Sequence, residues 1–211
     1  MTSPHVEAEL KYTTLDERPL QELERAERLG PAHLGVPRTV AELDRYLDTT
    51  GLRLAALRWA CRLRSREGRT VVSLKGPAEH AAGDRVHRRP ELEGPVGRGL
   101  DPIGWPPSAA RDRLLAMAGG APLTERFRLE QERIERSVSM GGLRVGTLSL
   151  DRVRVLRGET DLGGLLVVEL EFDPANPVDH RPLAAALGRL PGLAPDPLSK
   201  FERAEGMLAG A

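Results

Sequence analysis

The sequence predicts a mainly β chain with a minor helical part, folded as a closed or nearly closed antiparallel barrel of about eight strands. Three observations carry that reading. Charged and apolar residues alternate with a period of two in segment after segment, as half-buried strands require. Short turn signals, Arg66-Glu67-Gly68-Arg69 and Gly141-Gly142, join such segments at hairpin spacing. Helical patterning is confined to short stretches bounded by serine, proline or glycine.

The first strand spans residues 5–12, where Val6, Ala8 and Leu10 alternate with Glu7, Glu9 and Lys11. Residues 16–29 carry a helical charge pattern that Gly30-Pro31 ends, and residues 39–43 read as a short connector into Tyr46-Leu47-Asp48-Thr49. A hairpin follows over 57–74. Trp59, Cys61 and Leu63 alternate with Ala60, Arg62 and Arg64, and the return strand sets Val72 and Leu74 against Val71, Ser73 and Lys75. Residues 77–84 form a loop. Residues 86–93 form a strand with Arg89, Glu91 and Glu93 on one face. Pro90 cannot donate a ladder hydrogen bond, which assigns that strand an edge or irregular position.

Glycine and proline mark 94–107 as a loop, after which Ser108 caps a helix over 109–117 that Gly119-Gly120 stops. Strands over 127–139 and 143–151 pair through Gly141-Gly142, and 153–157 continues the meander. In the strand 165–172, Glu169 and Glu171 oppose Val168, Leu170 and Phe172. Helices over 182–190 and 199–208 complete the chain.

A length of 211 residues suits one domain, residues 1–211. Acidic and basic residues balance at 31 each, so no net field attracts nucleic acid or a membrane, and neither is expected as a partner. Cys61, the sole cysteine, excludes an internal disulfide and a cysteine-built metal site. No apolar run reaches the roughly 20 residues of a membrane span or looks like a signal peptide, so a cytoplasmic setting is expected, as monomer or homodimer. His5, His33, His80, His87 and His180 are scattered without ligand spacing and read as surface residues. Only three of the 31 basic residues are lysines, Lys11, Lys75 and Lys200. A lysine kept amid so much arginine points to a need for a compact ammonium.

Nearly every predicted strand has one almost purely ionic face. A solvated outer face is the ordinary explanation for any one strand. Here, however, the predicted helices need an apolar sheet surface to pack on, which turns the ionic faces inward. Charges enclosed in that way are costly unless they pair, hydrate or bind something. Carboxylates two residues apart on a strand suit Mg²⁺ or Mn²⁺, and arginine and lysine suit phosphate oxygens. Such a lumen is fitted to a metal-chelated polyphosphate.

Glu7-Ala8-Glu9-Leu10-Lys11 resembles the Glu-x-Glu-x-Lys hallmark of the CYTH domain, the triphosphate tunnel metalloenzymes. Further blocks fall in the same order: Tyr46-Leu47-Asp48-Thr49, Arg62-Leu63-Arg64, Leu74-Lys75-Gly76-Pro77, Arg89-Pro90-Glu91-Leu92-Glu93, Leu150-Asp151, Glu169-Leu170-Glu171, and Ser199-Lys200-Phe201 with Arg203. The similarity runs from residue 5 to about 208, and all three lysines fall on it. Arg58 stands where the family usually has glycine.

The resemblance implies an eight-stranded antiparallel tunnel with a charged lumen and divalent-metal chemistry on triphosphates. It implies Mg²⁺ or Mn²⁺ on Glu7, Glu9, Glu169 and Glu171, with Asp151 either a metal ligand or a group holding one. Arg62, Arg64, Lys75, Arg89, Arg133, Lys200 and Arg203 would bind the phosphate chain; Arg128 or Arg136 could stand in for Arg133. Glu91 would orient and deprotonate water, and Lys11 would bind phosphate or serve in acid–base chemistry. The favoured partner is a small-molecule triphosphate or polyphosphate, with inorganic triphosphate cleaved to diphosphate and phosphate. A class IV adenylyl cyclase, a thiamine triphosphatase and a catalytically silent polyphosphate-binding module are the alternatives. The scarcity of aromatic residues, at 3%, disfavours a stacking pocket for a base.

Overall fold

The computed structural model describes residues 5–78 and 86–210, so His80 and the part of the predicted loop at 79–84 lie outside the described residues. The elements run β1 (His5–Thr14), α1 (Arg18–Arg25), β2 (Arg28–Leu29), β3 (Ala32–Leu34), β4 (Arg38–Thr49), α2 (Arg53–Ala56), β5 (Ala60–Arg66), β6 (Arg69–Lys75) and β7 (His87–Pro95). After a 3₁₀ turn at Pro102–Gly104 come α3 (Ala109–Ala118), β8 (Leu123–Met140), β9 (Leu143–Arg157), β10 (Thr160–Phe172), α4 (Arg181–Leu187), β11 (Ala194–Pro195) and α5 (Lys200–Gly210).

Eight strands close a ring in the order β8–β4–β5–β6–β7–β1–β10–β9, with β9 returning to β8. Each of these pairings is antiparallel. The short β2–β3 hairpin extends from β8, and β11 pairs with β1. This is the mainly β, closed barrel that the alternating sequence predicts.

The barrel is apolar outside and ionic inside. Leu20 and Leu23 of α1 and Leu183 and Leu187 of α4 pack on Leu10, Leu148, Leu150, Val168 and Leu170. Leu54 of α2 and Leu114 and Met117 of α3 cover Cys61, Leu63, Val72 and Leu74. Each fully buried leucine contributes about 1.5–3 kcal/mol, so these layers anchor the outer face and leave the opposite face of each strand to the lumen. At one end the lumen itself turns apolar. There Tyr46, Phe127, Leu129, Val153 and Val155 meet Phe201 and Ala204, and α5 closes that end.

Local signals act as expected in several places. Ser108 Oγ accepts from the Arg111 amide, and Gly119, at φ +58, ends α3. Glu67 and Gly68 both take positive φ in the β5–β6 turn, as do Gly141 and Gly142 between β8 and β9.

Other expectations need correction. The helix expected over 16–29 is limited to α1, because Ala26 turns extended and the chain enters β2. Residues 39–43 belong to β4 rather than to a connector, since all five pair with β8 and Glu42 and Leu43 pair with β5 as well. The helix expected to reach residue 190 stops at Leu187. Strand β7 lies inside the sheet between β6 and β1 despite Pro90. Its pairing with β6 begins only at Glu91, and the Pro90 carbonyl accepts from Gly76 beyond the end of β6. Pro90 therefore removes no ladder donor. His87 is buried rather than on the surface, opposite Glu9 in register.

Candidate active site

Register builds the site. Glu9 of β1 stands opposite Glu171 of β10, Lys11 opposite Glu169, and Glu7 opposite Arg89 of β7. Lys75 of β6 faces Glu91, and Arg133 of β8 faces Asp151 of β9. Directly opposed residues share a face, so six strands deliver these side chains to one space. Ser199 and Lys200 enter it from the start of α5, where Ser199 and Glu202 form a reciprocal cap.

The resulting cavity has a volume of about 270 Å³. Six acidic residues line it, Glu7, Glu9, Glu91, Glu93, Glu169 and Glu171, together with six basic ones, Arg62, Arg64, Lys75, Arg89, Arg133 and Lys200. Equal numbers leave the space nearly neutral while giving it dense donors and acceptors. Glu93 and Glu171 are at the exposed mouth.

Glu7 is the hub of one ion-pair cluster. Lys75 Nζ donates to its two oxygens at 2.6 and 2.7 Å, and Arg89 Nε donates at 2.8 Å. Burial alone would raise the Glu7 pKa, but the Lys75 and Arg89 charges hold it well below the usual carboxylate range. Glu9 behaves oppositely. Burial, then the neighbouring Glu169 and Glu7 carboxylates, push it up to about 7, and Arg89 Nη2 at 3.2 Å offsets this only in part. Glu169, although buried, is held down by Lys200 at 2.7 Å and Arg133 at 3.2 Å. Ser73 Oγ donates to Glu91, and Lys75 lies 3.5 Å from that carboxylate.

Two buried aspartates hold the cations in place. Asp44 receives Arg64 through two bonds of 2.8 Å, Arg62 at 3.3 Å and the Gln131 amide at 2.8 Å. Asp151, fully buried, receives Arg133 at 2.7 and 2.9 Å and Lys200 at 2.6 Å. Arg62 Nε is buried with no acceptor among the described residues.

Of the sequence-predicted set, eleven side chains line the cavity together: Glu7, Glu9, Arg62, Arg64, Lys75, Arg89, Glu91, Arg133, Glu169, Glu171 and Lys200. Asp151 lies behind Arg133 and Lys200. Lys11 lines an adjoining cavity, 3.8 Å from Glu9, and burial lowers its pKa. Arg203 pairs with Asp196 at 2.7 and 2.8 Å and is not brought to the cavity. Arg136 points away from the lumen to backbone carbonyls of α1 and the residues after it, while Arg128 pairs with surface carboxylates. Missed were Asp44 and Glu42, with Arg66 and Glu135 beyond them. The alternation Glu42, Asp44, Tyr46 was the available signal.

No three acidic, histidine or cysteine side chains among the described residues form a ready metal cage. A hard divalent cation that takes most of its oxygens from phosphate and water needs only one or two carboxylates. Glu7, Glu9, Glu169 and Glu171 meet that demand; burial first, and then the Glu169 and Glu7 charges, raise the Glu9 pKa, and a cation beside these carboxylates would offset the second of these causes. No helix among the described residues is long and apolar enough to cross a membrane.

Residues 5–204 match the CYTH domain model. No curated protein is a detectable sequence relative. Among solved structures, HpAC1 from Hippeastrum, for which a dominant triphosphatase activity is stated, is 20% identical with a TM-score of 0.66, covering 95% of each chain. The Bacillus halodurans protein bh2851, provisionally named an adenylate cyclase, is 19% identical with a TM-score of 0.60 over 94% of this chain and 97% of that one. PH1819 from Pyrococcus horikoshii OT3 is 14% identical with a TM-score of 0.54 over 94% and 98%. At such identities the likeness establishes the fold.

Proposed function

The chain belongs to the CYTH domain family, and from that premise we propose that it is a divalent-metal-dependent triphosphatase that cleaves inorganic triphosphate to diphosphate and phosphate. The observation that carries this reading is the company of six carboxylates and six cations around one enclosed space. A triphosphate needs many cationic donors, and a chelated metal needs carboxylates beside them. The aromatic rings nearby are engaged with one another: Tyr46 stacks on Phe127 at 4.8 Å and meets Phe201 at 5.1 Å. That supports a substrate without a base to stack.

In this reading Arg62, Arg64, Lys75, Arg89, Arg133 and Lys200 grip the phosphate chain and offset the charge that develops as the bridging bond breaks. Asp44 and Asp151 hold four of these cations before substrate arrives, so little reorganisation accompanies reaction. Burial raises the Glu91 pKa, but Lys75, Arg62 and the Ser73 hydrogen bond together lower it, so Glu91 stays anionic, accepts a hydrogen bond from the attacking water and orients it. The water oxygen bonds to the terminal phosphorus, the bridging P–O bond breaks, and diphosphate, orthophosphate and a proton are released. Mg²⁺ or Mn²⁺ held by Glu7, Glu9, Glu169 and Glu171 would supply further neutralisation of the phosphate oxygens. Lys11 is a phosphate ligand from the adjoining cavity.

Phosphate release from triphosphate, ATP and thiamine triphosphate, each with Mg²⁺ or Mn²⁺, tests the proposal. Triphosphate should be the best substrate, and Glu7→Ala should cost roughly a hundredfold or more in rate. Binding of triphosphate without turnover of any of the three would sink the enzyme reading and leave a binding module.

A further inference from the structure

Four of the cations that line the cavity fall into two groups, Arg62 and Arg64 on Asp44, and Arg133 and Lys200 on Asp151. Glu42 of β4 connects them. Its Oε2 lies 3.3 Å from Arg64 Nη2 and 3.8 Å from Arg133 Nε. Among the described residues no other carboxylate pairs with a cation of each group: Glu91 reaches only Arg62 of these four, and Glu169 only Arg133 and Lys200. The Glu42 side chain is fully buried and does not line the cavity, so its effect on a ligand passes through the arginines. A buried carboxylate facing two guanidinium groups offsets their mutual repulsion and fixes their separation. Glu42 is itself held from outside the cavity. Arg66 Nη1 donates to its Oε1 at 3.2 Å, and both oxygens of Glu135 accept from Arg66 at 2.6 Å. Neither Arg66 nor Glu135 lines the cavity. A line of alternating charge thus runs from Glu135 through Arg66 to Glu42, and there branches to the two groups.

We propose that Glu42 is a positioning residue that couples the two cation groups, so that they grip triphosphate as one unit rather than as two independent sites. The inference rests on the triphosphatase reading, which makes Arg64 and Arg133 phosphate ligands, and adds to it a residue that touches no substrate. With Glu42 in place, displacing either arginine disturbs the other through the oxygen they share. Without it, each arginine answers only to its own aspartate.

The test is a double-mutant cycle on the binding of inorganic triphosphate, read by calorimetry, with phosphate release measured alongside. Arg64→Lys and Arg133→Lys keep a cation beside Asp44 and Asp151 but lose the guanidinium fork. In the otherwise wild-type protein each should weaken binding roughly tenfold, and the pair together should fall short of the product by about fivefold or more. In a Glu42→Gln background the same two changes should multiply to within about twofold. Glu135→Gln, remote from the cavity, should at least halve the coupling by loosening Arg66, and it takes the place of Glu42→Gln if that variant does not fold. Independent effects in the wild-type background overturn the proposal and leave the triphosphatase reading in place. So does coupling that persists undiminished when Glu42→Gln merely lowers affinity or stability, which is the mark of a structural role. Coupling that Glu42→Gln abolishes, with no hydrolysis of triphosphate by wild type, supports the role of Glu42 and removes the catalytic reading instead.

Discussion

Asp44 has both carboxylate oxygens committed, to Arg64, Arg62 and Gln131, and it is 1% exposed. Removing it strands two guanidinium groups in a space from which water is largely excluded. Asp44→Ala is therefore expected to cost about 3–5 kcal/mol, and Asp44→Asn less, because the amide keeps the shape and one acceptor. Urea denaturation reads this as a lower midpoint at unchanged slope. The same variants should raise KM for triphosphate more than they lower kcat, since Arg62 and Arg64 grip the chain before and during reaction. Cys61 offers a control on the opposite face. It is buried under α2 and α3, and burial pushes its thiol pKa up. A disulfide-exchange reagent should leave it unmodified in the native protein and label it once denaturant opens the fold. Rapid native labelling would contradict the packing of that layer.

At the level of elements, Arg136 shows how a strand holds a neighbouring excursion. Its guanidinium donates to the carbonyls of Leu23, Glu24 and Ala26 at the end of α1, and to Leu34 and Gly35 at the end of β3. It serves as a shared cap for orphan carbonyls, so Arg136→Met should cost about 2–4 kcal/mol and loosen α1, β2 and β3 before the barrel opens. Faster amide exchange confined to residues 18–34 would show this; uniform loss of protection would not. Arg133 and Arg136 also show what a sequence can and cannot reveal. Three residues apart with no bulge between them, they must take opposite faces, yet nothing in the local pattern says which faces the lumen. The β5–β6 hairpin, the α3 cap and the charged faces of β1, β7 and β10 were legible because period and turn chemistry agree there. Strand β4 was read only in part, because its first residues, exposed at Arg38 and Thr39, look like a connector until β5 and β8 flank them. That cost the reading Glu42 and Asp44. The positions of Arg203 and Lys11 depend on how α5 and the wall between the two cavities sit, which no spacing in one chain encodes.

Taken whole, the molecule keeps its apolar packing outside the barrel and its charges inside, so its stability should depend on protonation more than that of a barrel with an oily core. Asp44 gives the case free of any metal ligand. The groups facing it are Arg62 and Arg64 from β5, Gln131 from β8 and Tyr46 from its own strand, with Lys200 of α5 acting at longer range. Burial alone would raise its pKa, but Arg62 and then Arg64 outweigh that and hold it well below the ordinary 3.8. The folded value thus lies below the unfolded one. The group stabilises the fold fully above 3.8, and that contribution is lost as pH falls further. Wild type should therefore lose melting temperature steeply below about pH 4, whereas Asp44→Asn, less stable at neutral pH, should lose less over the same range. The two melting curves should converge in acid. A gap of constant size from pH 7 down to 3 would mean that the Asp44 charge does not stabilise the lumen, and that the arginines are held by packing alone.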